Sequence, residues 1–261
     1  MSSRPDLNSH LPSEAQRKEP QSRLGTEVLS LLQPSPGERI LDLGCGNGDL
    51  TARIAAAGAV PTGIDLSADS IANARLRHPG LNLQVADAGK YRTDVRYDAV
   101  FSHAALHWIG NAEATAHTVW LALRDGGRFV AEFAGSGNLV ALTDAVRQAL
   151  SVRGYEAEGR IPWYLPTIGE YAGLLERTGF RVTSALHFDQ LSPIKAPTGI
   201  RAMLDSFATY FFAGVAPEEL DAVYDEVEAA LMPFLYRDGQ WTINKSRLRI
   251  AAVKLPQPKD A

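Results

Sequence analysis

The stretch "RILDLGCGNGDLTARIAAAG", Arg39 to Gly58, constrains the fold more than any other in the chain. A short apolar run meets three glycines spaced two apart, Gly44, Gly46 and Gly48, and then a sequence of helical period. Strand, tight turn and helix in that order open a βαβ unit, the building block of a parallel sheet. The pattern repeats. "VPTGID" predicts a second strand ending at Asp65, and Ser67 opens the following helix as an N-cap residue. "LNLQVAD" and "YDAVFSH" read as third and fourth strands, "ATAHTVWLALRDGG" as a helix and "GRFVAEF" as a fifth strand.

After Gly135 the pattern changes. Helices are predicted over Leu139–Val152 and Thr167–Gly179, with a strand over Phe180–Phe188. "GIRAMLDSFATYFFAGV" and "PEELDAVYDEVEAALMPFLY" read as two helices outside the sheet, and "SRLRIAAVKL" as the last strand. The expected architecture is α/β: a Rossmann-like, seven-stranded, mostly parallel sheet with a helical cap inserted before the final strand. Residues 1–36 would form an N-terminal arm and helix, a lid over the site that places 10–33 against bound ligand. Residues 37–190 would form the core, 191–243 the cap over the active site, and 244–261 the last strand and tail.

Composition closes off several classes. No apolar run approaches the ~18 residues of a membrane span, and the polar opening with Pro5, Pro12 and Pro20 has no signal-peptide core. The single cysteine, Cys45, excludes a disulfide framework and fits a reducing cytoplasm. A net charge of −4 argues against a nucleic-acid partner. No metal site is expected.

The glycine turn identifies a cofactor. Dinucleotide-binding turns follow G-x-G-x-x-G, but the third glycine of that pattern would fall on Asp49. A dinucleotide-binding protein would also place an acid at Asp65, but this chain lacks that third glycine. The spacing is instead D-x-G-x-G-x-G from Asp42 to Gly48, which resembles the first motif of class I methyltransferases that use S-adenosylmethionine. That resemblance implies a set of cofactor contacts. Asp42 would meet the α-amino group, and Gly44, Gly46 and Gly48 would admit the ligand to the backbone. Asp65 with Leu66 would hold the ribose, Asp87 and the Ala88 amide the adenine, and His103 would stand near the methyl group. Acids at three successive strand ends suit a parallel sheet, which binds ligands at its carboxyl edge.

The acceptor is read from the second half. "FSHAALHW", "GGRFVAEFAGSGN", "PWYLPTIGEY" and "SRLRIAAVK" resemble small-molecule methyltransferases of the trans-aconitate group, although Asn244 and Lys245 stand where relatives carry Asp-Tyr. This implies a small-molecule substrate, methylated on an oxygen of a small acid or hydroxylated metabolite. Candidate catalytic residues are His103, His107 and Glu170; Thr167 and Glu170 also have the spacing of a capping box. Fourteen of the 21 aromatic residues lie at or after Tyr155. Trp108, Trp163, Tyr164, Phe207, Phe211 and Trp241 are candidate substrate contacts, either as an apolar pocket or as the cap's own core. Arg247 would bind a carboxylate or diphosphate end. Two alternatives stand beside this reading. One is carbon methylation of a prenyl or isopentenyl diphosphate alkene with Glu170 as base; the other is a non-catalytic S-adenosylmethionine-binding protein.

Overall fold

The computed structural model describes residues 24–194 and 199–256. Most of the expected N-terminal arm, residues 1–23, lies outside the described residues. The chain groups into two units. The first holds residues 24–136, 163–188 and 247–256, and the second holds 137–162, 189–194 and 199–246.

The first unit contains α1 (Leu24–Leu32), β1 (Arg39–Leu43), α2 (Asp49–Ala56), β2 (Val60–Asp65), α3 (Ala68–Arg77), β3 (Asn82–Val85) and β4 (Tyr97–His103). A 3₁₀ turn (Leu106–Trp108), α4 (Ala112–Ala122), β5 (Leu123–Ala134) and α6 (Ile168–Arg177) complete its helices and central strands. The sheet order is β3-β2-β1-β4-β5-β8-β6, where β6 is Phe180–Pro193 and β8 is Gln240–Lys254. β3, β2, β1, β4 and β5 run parallel, and β8 joins β5 antiparallel.

Both sheet faces are buried, and the period of two in the strands sorts side chains between them. Leu41, Val100 and Phe129 enter one core with Val119 of α4 and Leu175 of α6. Their neighbours Ile40, Phe101 and Val130 enter another, with Val28 and Leu32 of α1 and Ile54 of α2.

The strand β5 starts earlier than its sequence suggests. The helical pattern of "ATAHTVWLALRDGG" carries through Gly127, yet α4 ends at Ala122. Leu123 is fully buried and pairs with Tyr97, while Arg124 Nε donates to Asp98 Oδ1 at 2.7 Å. Tertiary contacts override local helix preference there.

The second unit contains α5 (Val140–Val152), α7 (Gly199–Ser206), α8 (Ala208–Phe211), α9 (Pro217–Leu235) and β7 (Tyr236–Arg237). The helix predicted as one piece from Gly199 breaks at Phe207, which caps α8. The last strand also starts early, at Gln240 rather than Ser246. Asp238 and Gly239 both take positive φ, at 51° and 77°, and turn β7 back onto β8 as a tight hairpin.

Candidate active site

The carboxyl edge of β1 to β4 opens on a cleft of about 780 Å³. Asp42, Gly44, Gly46, Asp65, Leu66, Asp87, Ala88, His103 and Trp108 all line it. Of the residues expected at the cofactor, Gly48 alone is absent from this lining; it holds φ 78° at the N-cap of α2.

The glycine loop is pinned by its own backbone. Gly44 N and Cys45 N both donate to Ile64 O at the end of β2, at 2.8 and 3.0 Å. Gly46 N donates to Asp65 Oδ2 at 2.9 Å, and Ser67 N donates to the other oxygen of the same carboxylate. Asp65 therefore ties the loop to the start of α3. The glycines are required for different reasons. A Cβ at Gly44 would stand 2.2 Å from Ala105 Cβ, so this position is closed by the protein itself. A Cβ at Gly46 would meet nothing within 4 Å, so it faces open space in the cleft.

Asp42 is 2% exposed, and its carboxylate accepts from Thr51 Oγ1 at 2.6 Å. Burial pushes its pKa up to about 6, against the lowering effect of the Thr51 hydroxyl. Asp87 is held the other way: the Gly89 amide, donating at 2.8 Å, keeps its carboxyl below the usual range. Cys45, at the cleft wall, is buried, which pushes its thiol up to about 12 and leaves it a small apolar side chain.

β4 ends at His103, and Ala104 turns the chain with φ 57°. A spacing of four would bring the two histidines onto one face of a helix, and this turn separates them instead. His103 Nε2 lies 3.7 Å from Glu132 Oε1, whereas His107 turns inward, where its Nδ1 accepts from Ala134 N at 3.5 Å. Burial, with Arg247 and His103 adding to it, drives the His107 pKa down to about 4, so its imidazole is neutral at pH 7. Glu132 is fully buried; burial pushes it up, but His103 and Arg249 outweigh this and hold it below the usual range.

A methyltransferase domain model matches residues 40–127, spanning β1 to the start of β5. An uncharacterized methyltransferase of Schizosaccharomyces pombe is 32% identical over 250 residues, 89% of this chain and 92% of that one. The chain belongs to the S-adenosylmethionine-dependent methyltransferases. A trans-aconitate 2-methyltransferase of Methylobacterium radiotolerans is 28% identical over 217 residues, 82% of this chain and 76% of that one. An S-adenosylmethionine-dependent methyltransferase of known structure from Mesorhizobium loti shares the fold, with a TM-score of 0.54 and 22% identity over 88% of this chain and 96% of that one.

The cleft of this methyltransferase fits its cofactor. It offers an open face at Gly46, and a buried carboxylate, Asp42, that accepts from the Thr51 hydroxyl. The remaining candidates lie elsewhere. Glu170 and Tyr164 line a second cleft of about 720 Å³ with Glu113 and Arg177. Glu170 accepts from Thr167 N and Oγ1 at 2.8 and 2.9 Å, completing a capping box that holds its carboxyl below the usual range. Trp163 meets Trp108 edge-on at 5.8 Å. Phe207, Phe211 and Trp241 belong to the second unit, where Phe211 is fully buried between Phe207 and Phe212, and Trp241 packs on Tyr236.

Arg247 faces His107 and Glu132 electrostatically; burial lowers its pKa, and its buried Nε has no hydrogen-bond partner among the described residues. Thr51, Glu132, and Glu27, which pairs with Arg249, were not singled out from sequence. A lone glutamate inside the apolar "GRFVAEF" is a signal that could have found Glu132; none pointed to Thr51 or Glu27.

The capping box gives a direct expectation. Glu170→Gln keeps a competent N3 cap residue and removes a base. It should turn over within twofold of wild type and melt at the same temperature. Lost turnover with an unchanged melt would instead make Glu170 the base.

Proposed function

We propose that this methyltransferase acts on an oxygen of a small acid or hydroxylated metabolite, and that the cleft at the carboxyl edge of β1 to β4 holds its cofactor. The observation that carries this is the convergence of Asp42, Asp65, Asp87 and His103 on one cleft from four strand ends. The name of the Methylobacterium relative, an enzyme for a small acid, supports the acceptor class.

Bound S-adenosylmethionine supplies a methyl group activated by its sulfonium charge. Asp42 would pair with the cofactor's ammonium group, and the two Asp65 oxygens would accept from the ribose hydroxyls with Leu66 beside them. The protein's task is to align the acceptor and keep water out. Arg247 is the cation for an acidic acceptor, because its half-buried guanidinium has no ion-pair partner among the described residues. The carbon-methylation alternative has less support, since Glu170 is committed to a helix cap and Phe211 to a core.

A turnover screen with methyl-labelled cofactor, against small acids, hydroxy acids and isoprenoid diphosphates, tests the reading. Label on oxygen is the expected result; label fixed on carbon would overturn it. Arg247→Gln should then raise KM for an acid-bearing acceptor about 10–100-fold, the worth of hydrogen bonds to a charged group. Affinity for S-adenosylhomocysteine should stay within twofold.

A further inference from the structure

Three side chains stand at one level across three neighbouring strands. His103 on β4 pairs in register with Glu132 on β5, and Glu132 pairs in register with Arg249 on β8. Cross-strand neighbours on one sheet face are close enough to interact. Glu132 Oε1 faces His103 Nε2 at 3.7 Å, and its other oxygen accepts from Arg249 Nε at 2.7 Å. Arg249 Nη2 reaches Glu27 on α1 at 2.8 Å, and its guanidinium lies 5.0 Å from the Phe188 ring centroid. Glu132 is fully buried, so it has no solvent to turn toward, and Arg249 fixes its plane.

We infer that Glu132 is a positioning residue which holds His103 as its Nε2–H tautomer, leaving Nδ1 to accept the proton of a hydroxyl acceptor. A carboxylate accepts and does not donate, so the imidazole nitrogen facing it carries the hydrogen. Neither His103 Nε2 nor Glu132 Oε1 has a hydrogen-bond partner among the described residues, and catalytic hydrogen bonds are often this long before ligands close a site. The other titratable groups that act on the imidazole are Asp42 on β1 and the neutral His107 on the 3₁₀ turn, while Arg247 and Arg249 of β8 act on Glu132. His103 also lines the cleft, so Nδ1 is the nitrogen left to the acceptor. As the acceptor oxygen took the methyl carbon, the C–S bond would break with its electron pair returning to the sulfonium sulfur, the oxygen's proton would pass to Nδ1, and Glu132 would stabilise the resulting imidazolium. An acceptor reacting through a carboxylate oxygen has no proton to give, so this arrangement selects hydroxyl oxygens.

The inference rests on the proposed cleft, but its first test does not need an acceptor. Ring-nitrogen spectra of the ¹⁵N-histidine-labelled enzyme bound to S-adenosylhomocysteine distinguish protonated from bare nitrogens, with His103→Asn supplying the assignment. Nε2–H at His103 is expected, and Nδ1–H would overturn the inference. In Glu132→Gln the amide can donate to Nε2, so the tautomer should reverse while S-adenosylhomocysteine affinity stays within twofold. A retained Nε2–H there would equally overturn it.

With a hydroxyl acceptor from the screen, kcat of Glu132→Gln should fall about 10–100-fold and the labelled product should be a base-stable ether. An unchanged kcat, or a base-labile ester, would overturn the inference while leaving oxygen methylation intact. Should the variant not fold, the wild-type tautomer decides alone. Should no acceptor be methylated on oxygen, the proposed function fails and the tautomer is still read.

Discussion

Gly44→Ala should abolish cofactor binding, with a loss of more than ~1,000-fold in affinity for S-adenosylhomocysteine, and should lower stability by about 2–5 kcal/mol. Two effects combine. The backbone holds φ 78°, where a Cβ costs about 1–2 kcal/mol. The new Cβ would also stand 2.2 Å from Ala105 Cβ, and relieving such overpacking costs about 1–3 kcal/mol. The loop cannot retreat, because Gly44 N and Cys45 N share Ile64 O and Gly46 N is held by Asp65. The turn after β4 must give way instead, and it carries His103 on one side and Trp108 on the other. Gly46→Ala is the contrast: its methyl enters open cleft at φ 52°, so it should fold with only the backbone cost yet weaken binding at least tenfold. Calorimetric titration and thermal melts of both variants read these effects. Wild-type affinity in Gly46→Ala would show that the ligand does not approach the loop.

These two glycines also show how much of the site could be read from the sequence. The motif located the loop, and the acids at three strand ends located the cleft, because a strand followed by an acid and a turn is a local pattern. The spacing said nothing of why Gly44 must be glycine; that reason is Ala105, sixty-one residues away in sequence. A spacing of four would put His103 and His107 on one face if the segment were helical; the positive φ of Ala104 instead sends one into the cleft and the other into the interior. Thr167 and Glu170 were legible as a cap because every partner lies within three residues. Glu132 and Arg249 were not, since their meeting depends on the register of three strands. Leu123 was misread as helical for the same reason: its partner Tyr97 belongs to another strand. The Asp238-Gly239 turn was legible in principle, as a residue pair suited to two positive φ angles, and it went unread.

Asp42 gives the second large effect, and its sign is opposite in binding and in stability. In the free protein burial raises its pKa from 3.8 to about 6. A carboxyl whose folded pKa is raised binds protons more tightly when folded, so free-protein stability falls as pH climbs through that window. The shift corresponds to at most about 3 kcal/mol by pH 7, at 1.36 kcal/mol per unit. Pairing with the cofactor's ammonium needs the ionised form, so affinity should be constant above pH 7 and weaken as pH falls through 6. The dissociation constant should rise about 10–30-fold by pH 4.5, approaching tenfold per unit where Asp42 is mostly protonated. Asp42→Asn keeps an acceptor for Thr51 and never ionises. It should bind S-adenosylhomocysteine about 100-fold more weakly at pH 7.5, lose this pH dependence, and melt no lower than wild type above pH 6. His103, Asp65 and Asp87 line the cleft in both proteins, so the difference between the two curves reads the loss of the Asp42 carboxylate. Parallel curves would mean that Asp42 does not meet the ammonium group, and a lower melt in the variant would mean that its buried charge stabilises the fold rather than awaiting a cation.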